Sequence, residues 1–321
     1  MIYEIKIDIK NYATLTIYTE SEEMKNKILT NNSQLFRTIP ITKITGNLIN
    51  KSNIDYTDTI IIIDGDKNEM YYDKKYNVSM LKTNKDKIRF PDLVYICLAM
   101  FSNILSRNKK YLLHSSSLAY SPEKGFVLSG DANAGKTSLA YEMMSKYDCK
   151  LISNDHSVIG IENGKPMILG GTKEIQMRLG AIELYFPELY KKINMNVPDK
   201  WSKKLVVNDY IDDELILSQS EDKIPLTDIY SISTTSSGST FVREKDKIDQ
   251  FLYLYENMSK ILKGSYNYIT GFDFPMPSME NEKNLKELSE LCKKIVEECN
   301  VCEARGSLDG IGKALIRKYE K

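Results

Sequence analysis

Residues 130–137 read GDANAGKT, and an aspartate, Asp155, follows Lys136 by 19 positions. Gly130, Gly135, Lys136 and Thr137 satisfy the spacing G-x-x-x-x-G-K-[ST], with an apolar run before it and a helical period after it. Each residue type has a task if a phosphate chain sits there. The glycines permit a tight backbone, and successive N–H groups and the start of the next helix can face phosphate oxygens. Lys136 neutralises β/γ charge, and the Thr137 hydroxyl can coordinate Mg²⁺. The candidate nucleotide-binding residues are therefore Gly130, Asp131, Ala132, Asn133, Ala134, Gly135, Lys136, Thr137 and Ser138. The alternative is a glycine-containing turn with a solvent-exposed lysine.

The spacing to Asp155 is just enough for one helix and the next strand, so a carboxylate arrives beside the loop. There it can hold Mg²⁺ through water, or accept the proton of an attacking hydroxyl; otherwise it is a turn or helix-capping aspartate. The chain has two histidines. His114 lies on the strand-like run YLLHSSSLAY before the loop, and His156 directly follows Asp155. A strand histidine is ordinarily structural, but the strand of His114 should run beside the one feeding the loop. Arg178 suits bidentate contact with a transferred phosphoryl group, or is a surface arginine. Arg243, in SSGSTFVREKDK, belongs to a run that reads as a loop over the site or a solvated connector.

These residues need a scaffold, and the periodicities supply one. YLLHSSSLAY and GFVLSG, joined by SPEKG, read as a hairpin. TSLAYEMMSKY puts Leu139, Ala140, Met143 and Met144 on one helical face, and CKLISND reads as a strand. KPMILGGTKEIQMRL, KKLVVNDYI and PLTDIYSIS add strands, while KIDQFLYLYENMSKILKG and NEKNLKELSELCKKIVEECN have helical periods. The result is an α/β core. Before it, YEIKIDI, YATLTIYT, DTIIIIDGD and EMYYDKKYNVSML alternate with polar, Asn- and Lys-rich connectors, as in a small β-rich domain. In RFPDLVYICLAMFSNILSRN the period turns helical, with Leu93, Ile96, Cys97, Met100 and Ile104 on one face. The expected division is 1–90 for the β-rich domain and 91–321 for the core.

With 321 residues and 42% hydrophobic content, the chain can bury one large core or two ordinary ones. Its 44 basic residues balance 44 acidic ones, so no global field favours nucleic acid or an anionic membrane. There is no leader-like start, and DLVYICLAMFSNIL is too short to span a bilayer, so a cytoplasmic location is expected. Five scattered cysteines suit reduced thiols, and the C-x-x-C at Cys299 and Cys302 reads as a helix-to-strand transition without metal.

His114 before the loop, the loop itself and LISND together resemble the HPr kinase/phosphorylase superfamily, over about residues 91–185. The resemblance implies a P-loop core related to phosphoenolpyruvate carboxykinase, and an enzyme that uses ATP and Mg²⁺ to phosphorylate a serine hydroxyl. It implies Lys136 and Thr137 for nucleotide and metal, Asp155 for base or metal chemistry, and His114 as a phosphate-site companion, with Arg178 a further catalytic candidate. It also makes a homo-oligomer an option. Asn154 stands where the family's paired aspartates begin, and EIQMRLG places Gln176, between Glu174 and Arg178, where the family's acidic metal-ligating segment falls. Hydroxyls other than that of HPr are then the expected acceptors: a Ser or Thr of a peptide or protein, including a ribosomal precursor peptide docked on the β-rich domain, or a small molecule. A nucleotide-binding regulator that transfers no phosphate is the alternative. A GTPase ranks third, for want of an N-K-x-D motif.

Overall fold

Alternating apolar and polar residues give the first strand, β1 (Ile2–Ile9), its buried Ile5, Ile7 and Ile9 and exposed Lys6. The computed structural model describes residues 1–30, 32–84, 88–235, 238–264 and 268–320. The chain continues through β2 (Ala13–Thr19), α1 (Glu22–Thr30), α2 (Ser33–Thr38), β3 (Lys43–Ile49), β4 (Thr59–Asp64), β5 (Glu69–Asp73) and β6 (Val78–Thr83). These strands form one mixed sheet in the order β3-β1-β2-β4-β6-β5. The two short helices fall in and beside the polar connectors, where the sequence showed no strong apolar period. The next helix, α3 (Phe90–Arg107), was expected to bury one face. It is buried on every side from Leu93 to Ser106 except at Tyr95.

The second part begins with the expected hairpin, β7 (Lys110–Ser121) antiparallel to β8 (Lys124–Ser129), with Ser115 opposite Ser129. It continues with α4 (Lys136–Tyr147), β9 (Lys150–Ser153), β10 (His156–Glu162), β11 (Lys165–Gly171) and β12 (Gln176–Arg178). Then come α5 (Leu179–Tyr185), α6 (Pro187–Ile193), β13 (Lys204–Val206), β14 (Ile224–Thr234) and β15 (Phe241–Glu244). After α7 (Lys247–Ser259), the pair β16 (Tyr268–Ile269) and β17 (Phe274–Pro275), and α8 (Glu282–Glu298), the chain ends in β18 (Asn300–Gly306) and α9 (Leu308–Tyr319). The large sheet runs β11-β10-β7-β8-β14-β18-β15, with β9 on β7 and a further pairing of β11 to β14. Within it β8, β14 and β18 are parallel.

The protein is thus a mixed α/β chain with several sheets. Two compact units divide it, one of Met1–Leu112 with Leu254–Glu290, the other of Leu113–Tyr253 with Leu291–Lys321. Where the sequence suggested a boundary near residue 90, the first unit takes in α3, which packs on β2, and recovers a segment late in the chain. All five cysteines are buried and free, and Cys299 and Cys302 lie at the passage from α8 to β18. Among the described residues no helix is long and apolar enough to cross a membrane.

In the second unit Leu139, Ala140, Met143 and Met144 of α4 are buried, as the helical period predicts. They share a core with Leu128, Ile232 and the α9 residues Leu308, Ile311 and Leu315. Each such Leu or Met side chain stabilises the unit by about 1.5–3 kcal/mol. This packing fixes the start of α4 against the ends of β8 and β14.

Candidate active site

The loop 130–135 leaves β8 and enters α4 through backbone that only small or adaptable residues adopt. Gly130 has φ +150°, and a Cβ there would lie 2.7 Å from the Ile232 carbonyl oxygen on β14. Gly135 has φ +92°, and a Cβ would run into the Thr234 side chain. Asn133, between them, is also left-handed at φ +65°. Thr234 clasps the loop from β14, its N–H and hydroxyl both donating to the Ala134 carbonyl at 3.0 and 3.1 Å. Gly135 caps α4 without a side chain, so the N–H groups of Lys136, Thr137 and Ser138 have no intrahelical acceptor and lie beside the loop. Lys136 is buried, and its ammonium donates to the carbonyls of Gly130 and Asp131 at 2.8 and 2.9 Å. Asp131, Ala132 and Asn133 are exposed at the rim, with Ala134 half-buried.

The strand pleat sorts the run HSSS of β7 between two tasks. Ser115 and Ser117, on one face, bond the hydroxyl of Ser157 at 2.7 and 2.5 Å, and Ser153 joins them at 2.6 Å. His114 and Ser116, on the other face, meet the end of β9. Ser116 donates to Asn154 Oδ1 at 2.7 Å, and the Nδ1 of His114 lies 3.3 Å from Asp155 Oδ1. Asn154 is nearly buried and links three elements. Its Oδ1 also accepts from the Thr137 hydroxyl at 3.2 Å, and its Nδ2 donates to the Glu174 carbonyl at 3.0 Å. The end of β9 is thereby bonded to the first turn of α4, although β9 pairs with β7 and not with β8.

Asp155 itself has φ +68°, held by a bond from Ser115 N–H to its carbonyl at 3.0 Å. Along a regular strand Asp155 and His156 would point to opposite faces. The left-handed turn brings them together, with His156 Nδ1 3.6 Å from Asp155 Oδ2, too far for a hydrogen bond. Burial pulls His114 down to about 4, with His156 and Lys136 adding to the effect and Asp155 opposing it. Burial would raise the Asp155 carboxyl, but His156, His114 and Lys136 outweigh it and hold it down at about 2. Both side chains keep an open edge to solvent, 44% and 35% exposed. At neutral pH the pair is a carboxylate beside a neutral imidazole.

Arg178 has its hydrogen bond elsewhere. It donates to the Trp201 carbonyl at 2.6 Å, from the strand β12 that pairs with β13. Gln176, half-buried, pairs with Val206 in the same register. Arg243 is on β15 and binds Glu303 at 2.8 Å, while Ser236 and Ser237 of the run before it lie outside the described residues. Reading the sequence alone passed over Ser116, Thr234 and the bonds of Asn154. The available signal was three consecutive serines inside an otherwise apolar strand, and a threonine ending another.

No protein-family model matches the sequence, and no curated protein matches it. Among solved structures, the HPr(Ser) kinase/phosphatase from Coxiella burnetii aligns with 65% of this chain and 95% of its own at 11% identity and a TM-score of 0.31. A structural neighbour that weak carries no argument about the chemistry of this chain.

Proposed function

We propose that the protein is a P-loop kinase of HPr-kinase-like core that transfers the γ-phosphate of ATP to an alcohol hydroxyl, on a Ser or Thr of a peptide or protein or on a small molecule. The observation that carries this reading is the bond between Asn154 and Thr137, which keeps the strand end bearing Asp155 beside the loop that bears Lys136. The loop's N–H groups, the α4 N-terminus and Lys136 together suit a polyphosphate. Mg²⁺ fits the donor chemistry, since Thr137 and Asn154 offer neighbouring oxygen atoms and Asp155 a carboxylate, the hard ligands this ion takes. When bound, it would neutralise charge on the phosphates.

In the proposed step the acceptor oxygen bonds to the γ-phosphorus as the bond from that phosphorus to the ADP oxygen breaks. The hydroxyl proton passes to Asp155, ionised throughout the physiological range, with the neutral His114 imidazole 3.3 Å away as a further acceptor. Lys136 stays with the phosphates and balances the charge left on ADP. The first unit would then offer the docking surface for a peptide acceptor, within a cytoplasmic enzyme.

The test is intact-mass spectrometry of candidate acceptors, beginning with peptides encoded beside the gene, after incubation with protein, Mg²⁺ and ATP. A gain of one phosphoryl group that Asp155→Asn abolishes supports the kinase. Nucleotide binding with no acceptor phosphorylated would replace it with a nucleotide-binding regulator.

A further inference from the structure

The proposed transfer uses Asp155 and assigns His114 a supporting place, but it gives His156 nothing to do. His156 is 7% exposed, and its Nδ1 is buried, faces Asp155 and has no hydrogen-bond partner. A buried imidazole nitrogen left unmet is unfavourable, because it has given up water without gaining a partner. The left-handed backbone at Asp155 turns His156 toward the same carboxylate. A buried nitrogen without a partner, aimed at a carboxylate, calls for a ligand that meets both.

We infer that His114, Asp155 and His156 form a three-ligand site for a divalent transition metal of the Zn²⁺ class. One nitrogen or oxygen from each residue lies within 4.8 Å of the others. The Nδ1 of His114 is 3.3 Å from Asp155 Oδ1 and that of His156 is 3.6 Å from Asp155 Oδ2, so each imidazole already stands about one tetrahedral edge from one of the two carboxylate oxygens. Bonds of 2.0–2.2 Å to nitrogen and oxygen give an edge of about 3.3 Å. The two rings are 5.3 Å apart at their centroids and tilted by 58°, so they converge on the carboxylate without stacking.

The donor set selects the ion. Two imidazoles with one carboxylate suit Zn²⁺, Fe²⁺ and their neighbours, whereas Mg²⁺ and Ca²⁺ take oxygen ligands almost alone. With three protein ligands and an exposed edge, at least one coordination position faces the cleft, as in catalytic and not in structural zinc sites. The site stands on this geometry and does not rest on the kinase reading. If that reading also holds, the ion draws the Asp155 carboxylate away from the acceptor hydroxyl, and Zn²⁺ inhibits transfer while Mg²⁺ supports it.

Calorimetric titration of the chelator-stripped full-length protein with Zn²⁺, with Co²⁺ absorption as a report of ligand geometry, tests the site. One equivalent of Zn²⁺ should bind and raise the thermal midpoint, with Mg²⁺ giving no such effect. His114→Ala and Asp155→Asn should each weaken binding by at least the ~10–100-fold that even loss of an outer-shell partner costs. His156→Ala should do the same, and because His156 is buried, circular dichroism must first show that the variant folds; His114→Ala and Asp155→Asn carry the test if it does not. Lys136→Ala should retain the ion, which separates this site from the nucleotide site. Absence of Zn²⁺ binding, or binding unchanged in His114→Ala and Asp155→Asn as expected of an ion held by thiols, would overturn the assignment.

Discussion

Two aspartates in the same unit meet their surroundings in opposite ways. Asp228 on β14 is 2% exposed and accepts from Asn300 Nδ2 and the Tyr319 hydroxyl at 2.9 Å and from the Thr227 hydroxyl at 2.8 Å, with the Lys318 ammonium against the same carboxylate. Each oxygen has two donors, and apart from Thr227 they come from β18 and α9, so the carboxylate fastens those elements to the central strand. Asp155 has a left-handed backbone, an open edge and two imidazoles at 3.3 and 3.6 Å. The fully bonded carboxylate of Asp228 belongs to the architecture, and the partly unmet one of Asp155 is the one the proposed transfer would use.

That contrast can be broken by substitution. Asp155→Asn should lower the proposed transfer by roughly 10²–10⁴-fold, the usual contribution of a positioned base, while its loss of stability in urea unfolding stays below that of Asp228→Ala. Asp228→Ala should do the reverse. It strands the Tyr319 hydroxyl and Asn300 beneath α9, and unfolding free energy should fall by about 2–4 kcal/mol, below the loss for a wholly buried pair because Lys318 can turn to water. Equal stability losses in the two variants would remove the distinction.

Asn154→Asp sharpens it further. The new carboxylate would face the Glu174 carbonyl in place of an N–H donor, so stability at neutral pH should drop by about 1–2 kcal/mol. Stability unchanged in denaturant titration would mean that the amide bond to Glu174 does not hold the strand end. At the small end, Arg243→Ala breaks a solvent-exposed pair with Glu303 and should change unfolding by about 0.5 kcal/mol or less, with no change in transfer.

The parts of this unit that the sequence made legible are those set by near neighbours in the chain. The loop, the apolar face of α4 and the β7–β8 hairpin follow from glycines, a 3.6-residue period and Pro122 at the reversal, within a few tens of residues, although Gly125, expected in the turn, lies in β8 opposite Ala119. The parts that stayed hidden depend on distant partners. Thr234 reaches the loop from 100 residues away, and Asp228 finds Tyr319 from 91, so neither bond leaves a local trace. The meeting of Asp155 and His156 was hidden for another reason, since period-2 alternation places neighbours on opposite faces and only the positive φ at Asp155 overrides it. In the first unit α1 and α2 were lost among polar connectors, because helices of nine and six residues bury too few side chains to show a period.

The most direct measurement is equilibrium binding of Mg·ATP to the wild-type protein and to Lys136→Ala by calorimetry. If the loop, the α4 N-terminus and Lys136 hold the phosphates, wild type binds one nucleotide and Lys136→Ala binds it at least about tenfold more weakly, a difference of ~1.4 kcal/mol. No binding to wild type, or the same affinity in both proteins, would contradict a nucleotide site at residues 130–138.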